Sequence, residues 1–528
     1  MEKRYDRPTY PELGHIYPGD YYEAIPWDEY IDPKQPLPEG SVFDIRDYGA
    51  LPEEDLLNTE AIRRCFADCE AHGGGTVLIA GGRYVSGSVS VPSGCTLFIA
   101  PDSALVASRD VTQLLSDDPS IPDDRKGESR EGALLHIRHA HDVTVTGGGR
   151  ICGQGEWYVY EPRELPALTP FPVTMLPRRD QADQINTVPG SVRTFYRDRI
   201  RYSEDKYREG KPDLLRPSAM VWVMDSRRVT FRNIILQGSM SWTLHVHCCD
   251  ELTIRDLVID DNRHVANADG IDIGSSSHVL VEHCFVSCAD DGIVLKAPIF
   301  AERMMEDVTV RDCTVLTVMN AFKIGTETGC DIRDVLVERC RFCLPDIYPG
   351  SVSGISLESC DGTRLSNVRL RDIEMEGVVC PLYICLEKRN RYHHPYTEDT
   401  ASPYWGGGIE GVTLERIRAE GCELPCILTG YETKTRAGRA VRKPLRDITV
   451  RDMTMVYRDN AEVVRVPPVI EEYLDDYPES NAHGDVPACG LWARHIDGLT
   501  VEGFRVTPRS CNTRAEIVTE DVTQAQKL

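Results

Sequence analysis

The chain has 528 residues, 41% of them hydrophobic and 27% charged, a balance that excludes a disordered polymer; a mean hydropathy of -0.32 and the lack of any apolar run of about 18 residues exclude a helical membrane span. Acidic residues outnumber basic ones by 84 to 59, for a formal charge of -25, and no Lys/Arg cluster stands out, so nucleic acid is not an expected partner and long polyanions are disfavoured as substrates. The length exceeds what one layered core usually holds, which leaves several domains or one elongated repeat.

Residues 1–40, rich in Tyr, Pro and acidic groups, read as an irregular arm. Its first residues carry positive charge without a following apolar stretch, so a secretory leader is not expected. The 19 cysteines are odd in number and scattered, which suits reduced thiols and a cytoplasmic location better than a disulfide framework. From Asn58 to His72 an Asn at the N-cap position, apolar residues at helical spacing and the stop Gly73-Gly74-Gly75 predict one amphipathic helix. Such a helix can close the open end of a repeat whose strand edges are otherwise bare. Residues 76–108 read as short strands and turns, whereas 109–132, 158–216 and 387–408 read as loop insertions.

From Val229 onward a unit of alternating apolar and polar residues recurs, beginning at 229, 252, 279, 308, 335, 368, 412, 448 and 499. The first starts are 23, 27, 29 and 27 residues apart, too short for a crossover through a full helix and suited to one coil of a solenoid. Aligning the units places Ile234, Leu257, Cys284, Cys313, Cys340, Ile373, Ile417, Met453 and Phe504 in one column, the signature of an internal ladder. That ladder accounts for several cysteines as small hydrophobes. Cys340 and Cys343 form a CxxC, but no second pair follows at zinc-site spacing, so no metal site is expected there. His245 and His247 read as core or cleft-wall residues.

The stretches Asn267-Ala268-Asp269-Gly270 and Cys288-Ala289-Asp290-Asp291-Gly292 lie about one coil apart. Coil stacking would set their backbones roughly 4.7–4.9 Å apart and gather three carboxylates. Glycoside hydrolysis needs a protonated carboxyl for the leaving oxygen and an ionised one for water or attack, and crowding like charges can separate their pKa values. Either motif alone is explained as well by a turn, since Asp and Gly are common turn residues.

These motifs, with FDIRDYGA at 43 and RPSAMVWVMDSRRVTFRNI at 216, resemble glycoside hydrolase family 28, the polygalacturonase family. The resemblance implies an all-β, right-handed parallel β-helix of the pectin-lyase-like kind, here with an N-terminal capping helix. It also implies an inverting mechanism without a cofactor or metal, with Asp290 as general acid and Asp269 and Asp291 holding and deprotonating the water. Two departures bear on substrate. Asn320 stands where the family has a histidine, in Met319-Asn320-Ala321-Phe322-Lys323-Ile324-Gly325-Thr326-Glu327, and Gly354-Ile355-Ser356-Leu357-Glu358 stands where the family has an Arg-Ile-Lys pair of cations. A carboxylate at 358 would repel a uronate, so a neutral-sugar or rhamnogalacturonan-type linkage in an oligosaccharide is expected rather than plain polygalacturonate.

Asn267, Asn320, Lys323, Glu327, Glu358, Arg494 and His495 are the expected substrate-binding residues; Lys323, Glu327 and Glu358 serve equally well as internal ion pairs. Trp405 is placed either in the cleft or as a loop pin. Two other classes stay open: a β-helix lyase or uronate epimerase, for which Lys296 and Lys323 are candidate cations and the acidic patch a Ca²⁺ site, and a non-catalytic carbohydrate-binding solenoid.

Overall fold

The computed structural model describes residues 27–528 apart from 54, 115–131, 156–216, 262–264, 266, 299–302, 344–350, 388–406, 435–437, 460–463, 473–477 and 528. Trp405, most of the expected insertions and the first 26 residues of the arm lie outside the described residues.

Alternating patterning gives strands with one buried face, and those strands stack into a single 30-stranded sheet whose pairings are all parallel. Every repeat start found in the sequence pairs in register with the next: Val229 with Leu252, Leu252 with Val279, Val279 with Val308 and Val308 with Val335. Val335 then pairs with Val368, Val368 with Val412, Val412 with Ile448 and Ile448 with Leu499. The fold is therefore a parallel β-helix, and chain added between the later coils does not disturb the stacking. A small antiparallel hairpin, Tyr431–Lys434 with Ala440–Lys443, forms a separate two-stranded sheet whose Tyr431 is buried in the same core.

Each coil must bend, and the bends explain the ladder. The residue before the aligned column adopts left-handed backbone in coil after coil: Asn233 at φ 48°, Asp256 at 48°, His283 at 51°, Asp312 at 54°, Arg339 at 51°, Asp372 at 56°, Arg416 at 52°, Asp452 at 51° and Gly503 at 61°. Asn, Asp and Gly accept this region most readily. The bend turns the following side chain inward, so Ile234, Leu257, Cys284, Cys313, Cys340, Ile373, Ile417 and Met453 are buried in one continuous core, with Phe504 packed against it. Burial pushes the Cys313 thiol well above its ordinary pKa, as expected for a packing group rather than a reactive one.

The capping helix, α2, spans Thr59–Ala71 and presents Ala61, Ile62, Cys65, Phe66 and Cys69 to the end of the core. Asn58 holds the N-cap position, but its side chain does not cap the helix: its Oδ1 accepts from the Leu51 amide at 2.8 Å instead. The end of the arm is ordered by the coils. A short helix, α1 (Trp27–Tyr30), and Ile31 cover the outward apolar residues Ile235, Val258, Phe285, Leu316 and Cys343. Tyr30 stacks on His283 at 4.8 Å, and Asn233 exchanges two hydrogen bonds with the Asp32 backbone. Among the described residues no helix is long and apolar enough to cross a membrane.

Candidate active site

One face of the β-helix is built from the strands Trp242–His247, Ile271–Gly274, Ile293–Ala297, Asn320–Thr328, Ser351–Ser359, Val378–Leu386, Cys426–Thr429 and Ala488–Glu502. Inward residues Leu244, Ile271, Ile293, Phe322, Ile355 and Leu382 pair in sequence and fill the core. The outward column beside them reads His245, Asp272, Val294, Lys323, Ser356, Tyr383, Ile427 and Trp492. Chemistry on this face is therefore decided by outward positions at strand starts.

Asp269 and Asp290-Asp291 lie just before two neighbouring strands of this face. The Gly270 amide donates to the Asp291 carbonyl at 2.9 Å and the Gly292 amide to the Asn320 carbonyl at 2.8 Å, which carries the parallel register through the acidic stretch into Asn320. The glycines are required by packing. A Cβ on Gly270 would stand 2.4 Å from Val286 Cγ1, and one on Gly292 would stand 2.3 Å from Val315 Cγ1. Each glycine turns its bare face to the core, so the aspartate before it is sent outward.

The three carboxylates meet: one oxygen from each of Asp269, Asp290 and Asp291 lies within 4.8 Å of the others. Their surroundings differ. Asp290 Oδ1 accepts from the Asp291 amide at 2.9 Å while its Oδ2 has no hydrogen-bond partner, and desolvation, aided by Asp291, pushes its pKa well up. Asp291 is held from the next coil, with Asn320 Nδ2 donating to Oδ1 at 2.8 Å and Lys323 Nζ 3.3 Å from Oδ2. Asp269 Oδ2 lies 3.4 Å from Lys296 Nζ, which also contacts Asp272 at 2.8 Å and sits 3.8 Å over the Trp242 ring. Burial raises Asp269 well above the ordinary carboxylate range and Asp272 to about 6, against the pull of Lys296.

A second group of charges adjoins the first. Lys323 Nζ is 3.6 Å from Glu358 Oε1 and 3.7 Å from Glu479 Oε1. Burial lifts Glu358 to about 8 and Glu479 to about 7, in both cases against the attraction of Lys323. Asp269, Asp290 and Asp291 are only 3%, 1% and 3% exposed, which keeps their carboxyls out of bulk water.

The expected binding residues divide. Asn320, Lys323 and Glu358 join the patch, and Glu327 reaches its edge 3.9 Å from Lys296. Asn267 is half-buried at φ 56°, in the turn leading to Asp269. Arg494 and His495 are not brought there: Arg494 pairs with Glu472 at 2.5 Å, and His495 is bound between Glu472 and Asp521. Arg494 lies on the strand of Trp492, four strands beyond that of Lys323, about 19 Å at the usual spacing. Asp272, Trp242 and Glu479 belong to the site although sequence reasoning gave them no role in it, and Lys296, named from the sequence only as a cation for a lyase, joins them. Glu479 comes from the connection between distant coils, outside the repeat.

The coils and this acidic face define a pectin-lyase-like parallel β-helix with a carboxylate site. Comparison with known proteins sharpens that class. The family profile "Glycosyl hydrolases family 28" matches residues 201–301, the stretch that holds Asp269, Asp290 and Asp291. A probable polygalacturonase from Vitis vinifera is 23% identical over 306 residues, covering 55% of this chain and 53% of that protein. The chain thus spans about half the length of that curated relative. Among solved structures, a family 28 exopolygalacturonase from Yersinia enterocolitica superposes with a TM-score of 0.63 at 16% identity, covering 92% of this chain and 78% of that one. An exopolygalacturonase from Thermotoga maritima superposes with a TM-score of 0.58 at 17% identity, covering 82% and 90%. The chain is thus similar to polygalacturonases of family 28, in sequence over the coils that hold the three aspartates and in fold over most of its length.

Proposed function

We propose that this protein is a glycoside hydrolase that cleaves pectin-derived oligosaccharides with Asp290 as general acid and Asp269 and Asp291 directing the water. The observation that carries the reading is Asp290 Oδ2: buried, without a partner, on a carboxyl whose protonated form is favoured, and beside two further carboxylates. A proton there can pass to the leaving glycosidic oxygen while a neighbouring carboxylate takes one from water. The names of the relatives support a pectin-type substrate.

For the sugar at the cleaved bond, the reading is a neutral or rhamnogalacturonan-type residue. Lys323 and Lys296 are both committed to carboxylates of the chain itself, and Glu358 takes the place at which the family resemblance sets a cation. A uronate carboxylate there would lose its hydration without an uncommitted cation to replace it. A reducing compartment such as the cytoplasm suits the odd number and scattered placement of the 19 cysteines.

One observation favours a second stereochemical course. Carboxylate oxygens within 4.8 Å are closer than the ~6.5–9.5 Å usual for inverting enzymes and nearer the ~5–5.5 Å of retaining ones. With three carboxylates, two can share one water, which keeps inversion as the first reading. Proton NMR of the first-formed anomer decides between them. Incubation with a panel of pectic oligosaccharides tests the function as a whole. New reducing ends without ultraviolet absorbance support hydrolysis, an unsaturated product would assign a lyase, and binding without cleavage would assign a carbohydrate-binding solenoid.

A further inference from the structure

Downstream of the catalytic coil, the site face does not stay open. The outward residues Val318, Met319, Val352, Val379, Tyr383, Ile427 and Trp492 form an apolar cluster of their own, and Val486 and Ile470 from the connection ahead of the strand Ala488–Glu502 pack onto it. The described part of that connection nearest the site, residues 478–487, is pinned along its length. Ser480 Oγ lies 3.1 Å from Ser353 Oγ, and His483 Nε2 lies 3.4 Å from the Tyr383 hydroxyl and meets the Trp492 ring edge-on at 5.6 Å. Burial holds His483 neutral, down to about 3, which suits a wedge between two aromatic rings rather than a titrating switch. At the leading end of this strap, Glu479 reaches Asn320 Nδ2 at 3.5 Å and Lys323 Nζ at 3.7 Å, the two groups that hold Asp291.

We propose that the strap 478–487 ends the saccharide-binding row immediately beyond the catalytic coil, and that Glu479 is the specificity-determining residue at that closed end. This inference rests on the hydrolase reading and deepens it. An enzyme that cuts within a polymer must let the chain leave the cleft on both sides of the bond, so closure on one side is enough to restrict it to chain ends. Glu479, Glu358 and Asp291 surround Lys323, so the closed end meets the terminal sugar with hydrogen-bonding oxygens and with an ammonium already committed, which disfavours a terminal carboxylate. The unpartnered Oε2 atoms of Glu358 and Glu479 are the acceptors available to its hydroxyls.

The test uses the full-length protein and end-labelled pectic oligosaccharides of graded length, ending in a neutral sugar or in a uronate. Wild type should release a single short product from the first minutes, with no early fall in polymer viscosity. Glu479→Gln should keep that product length and raise the kcat/KM ratio of uronate-ended over neutral-ended substrates by roughly tenfold, through release of Lys323 from one of its carboxyl partners. A second variant, Ser480→Gly with His483→Ala, loosens the strap and should add products of intermediate length. A ladder of many lengths early in the wild-type reaction, or an unchanged substrate ratio in folded Glu479→Gln, would overturn the inference and leave the hydrolase standing. No cleavage anywhere in the panel would overturn the hydrolase reading itself, and this inference with it.

Discussion

Two columns of aspartates stack along this molecule, and they behave in opposite ways. On one outer corner two left-handed aspartates each meet an arginine from the next coil, Asp312 with Arg339 and Asp372 with Arg416, and at a second bend Asp142 meets Arg228 in the same way. These pairs are largely exposed, and hydrogen bonds from the guanidinium groups lower the pKa of all three carboxylates. A groove of about 540 Å³ runs along this corner, but Arg339, Arg416 and Arg418 within it already pair with acids of the chain. On the site face the same coil spacing brings Asp269, Asp290 and Asp291 together out of water, with Lys296 and Lys323 as the neighbouring cations. Stacking supplies proximity in both places. Burial and the choice of counter-ion decide whether proximity yields a quiet ion pair or a carboxyl poised to give up a proton.

The sharpest way to break this contrast is Asp290→Asn. It removes the transferable proton and keeps the shape, so turnover should fall by about 10²–10⁴-fold while sugar binding persists. Steady-state rates and a binding titration check it, and wild-type turnover in the variant would remove Asp290 as the acid. The next largest effect is expected from Lys323→Met. Taking the cation away from Asp291, Glu358 and Glu479 leaves buried carboxylates unpaired, a loss on the order of 3–5 kcal/mol in denaturant unfolding at neutral pH. The loss should shrink near pH 5, where Glu358 and Glu479 hold their protons; an equal loss at both pH values would mean that packing, not charge, is responsible.

The contrast also explains what could be read from sequence. The inner column and the repeat starts recur in every coil, so nine units reinforced one another and the register followed, from Val229 to Leu499. The aspartates were visible because two unusual acidic stretches sit one coil apart. Residues used once left less trace. Lys296 looks like the end of an ordinary strand, and Glu479 belongs to no repeat and reaches the site through a connection whose path only the fold reveals. Arg494 and His495 were expected at the site from the resemblance of the stretch GLWARHIDGLTV at 490 to related sequences. Strand order instead places them well down the face, beside Glu472 and Asp521. Asp-Gly was ambiguous for a similar reason: a turn and an inward glycine have the same letters, and only the close approach of Val286 and Val315 separates them.

Solution pH sharpens the comparison in a smaller way. Glu358 and Glu479 have folded pKa values raised to about 8 and about 7, so the native state binds their protons more tightly than the unfolded chain does. Their contribution is fully present below the unfolded value and is lost as pH rises through the folded ones, a window from about 4.5 to about 8. Each should tilt stability downward by up to about 1.4 kcal/mol per pH unit within that window. Glu358→Gln should flatten the slope, and an unchanged slope would mean that Glu358 keeps no proton in the fold. The corner aspartates have the reverse sign: their lowered pKa values give stability that is present at neutral pH and lost as acid protonates them.

The smallest expected effect completes the comparison. Arg416→Gln removes the cation from an exposed corner pair with Asp372 while keeping a long polar side chain at a left-handed bend. Exposed ion pairs contribute roughly 0–1 kcal/mol, and salt screens them. The variant should therefore melt within a few degrees of wild type, lose what difference it has in high salt, and cleave substrate at the wild-type rate. A large drop in stability would show that the corner pairs act as a cooperative ladder along the coils rather than as separate surface contacts. The outer corner would then be as dependent on its charges as the site face, and the distinction between quiet and poised carboxylates would have to rest on protonation alone.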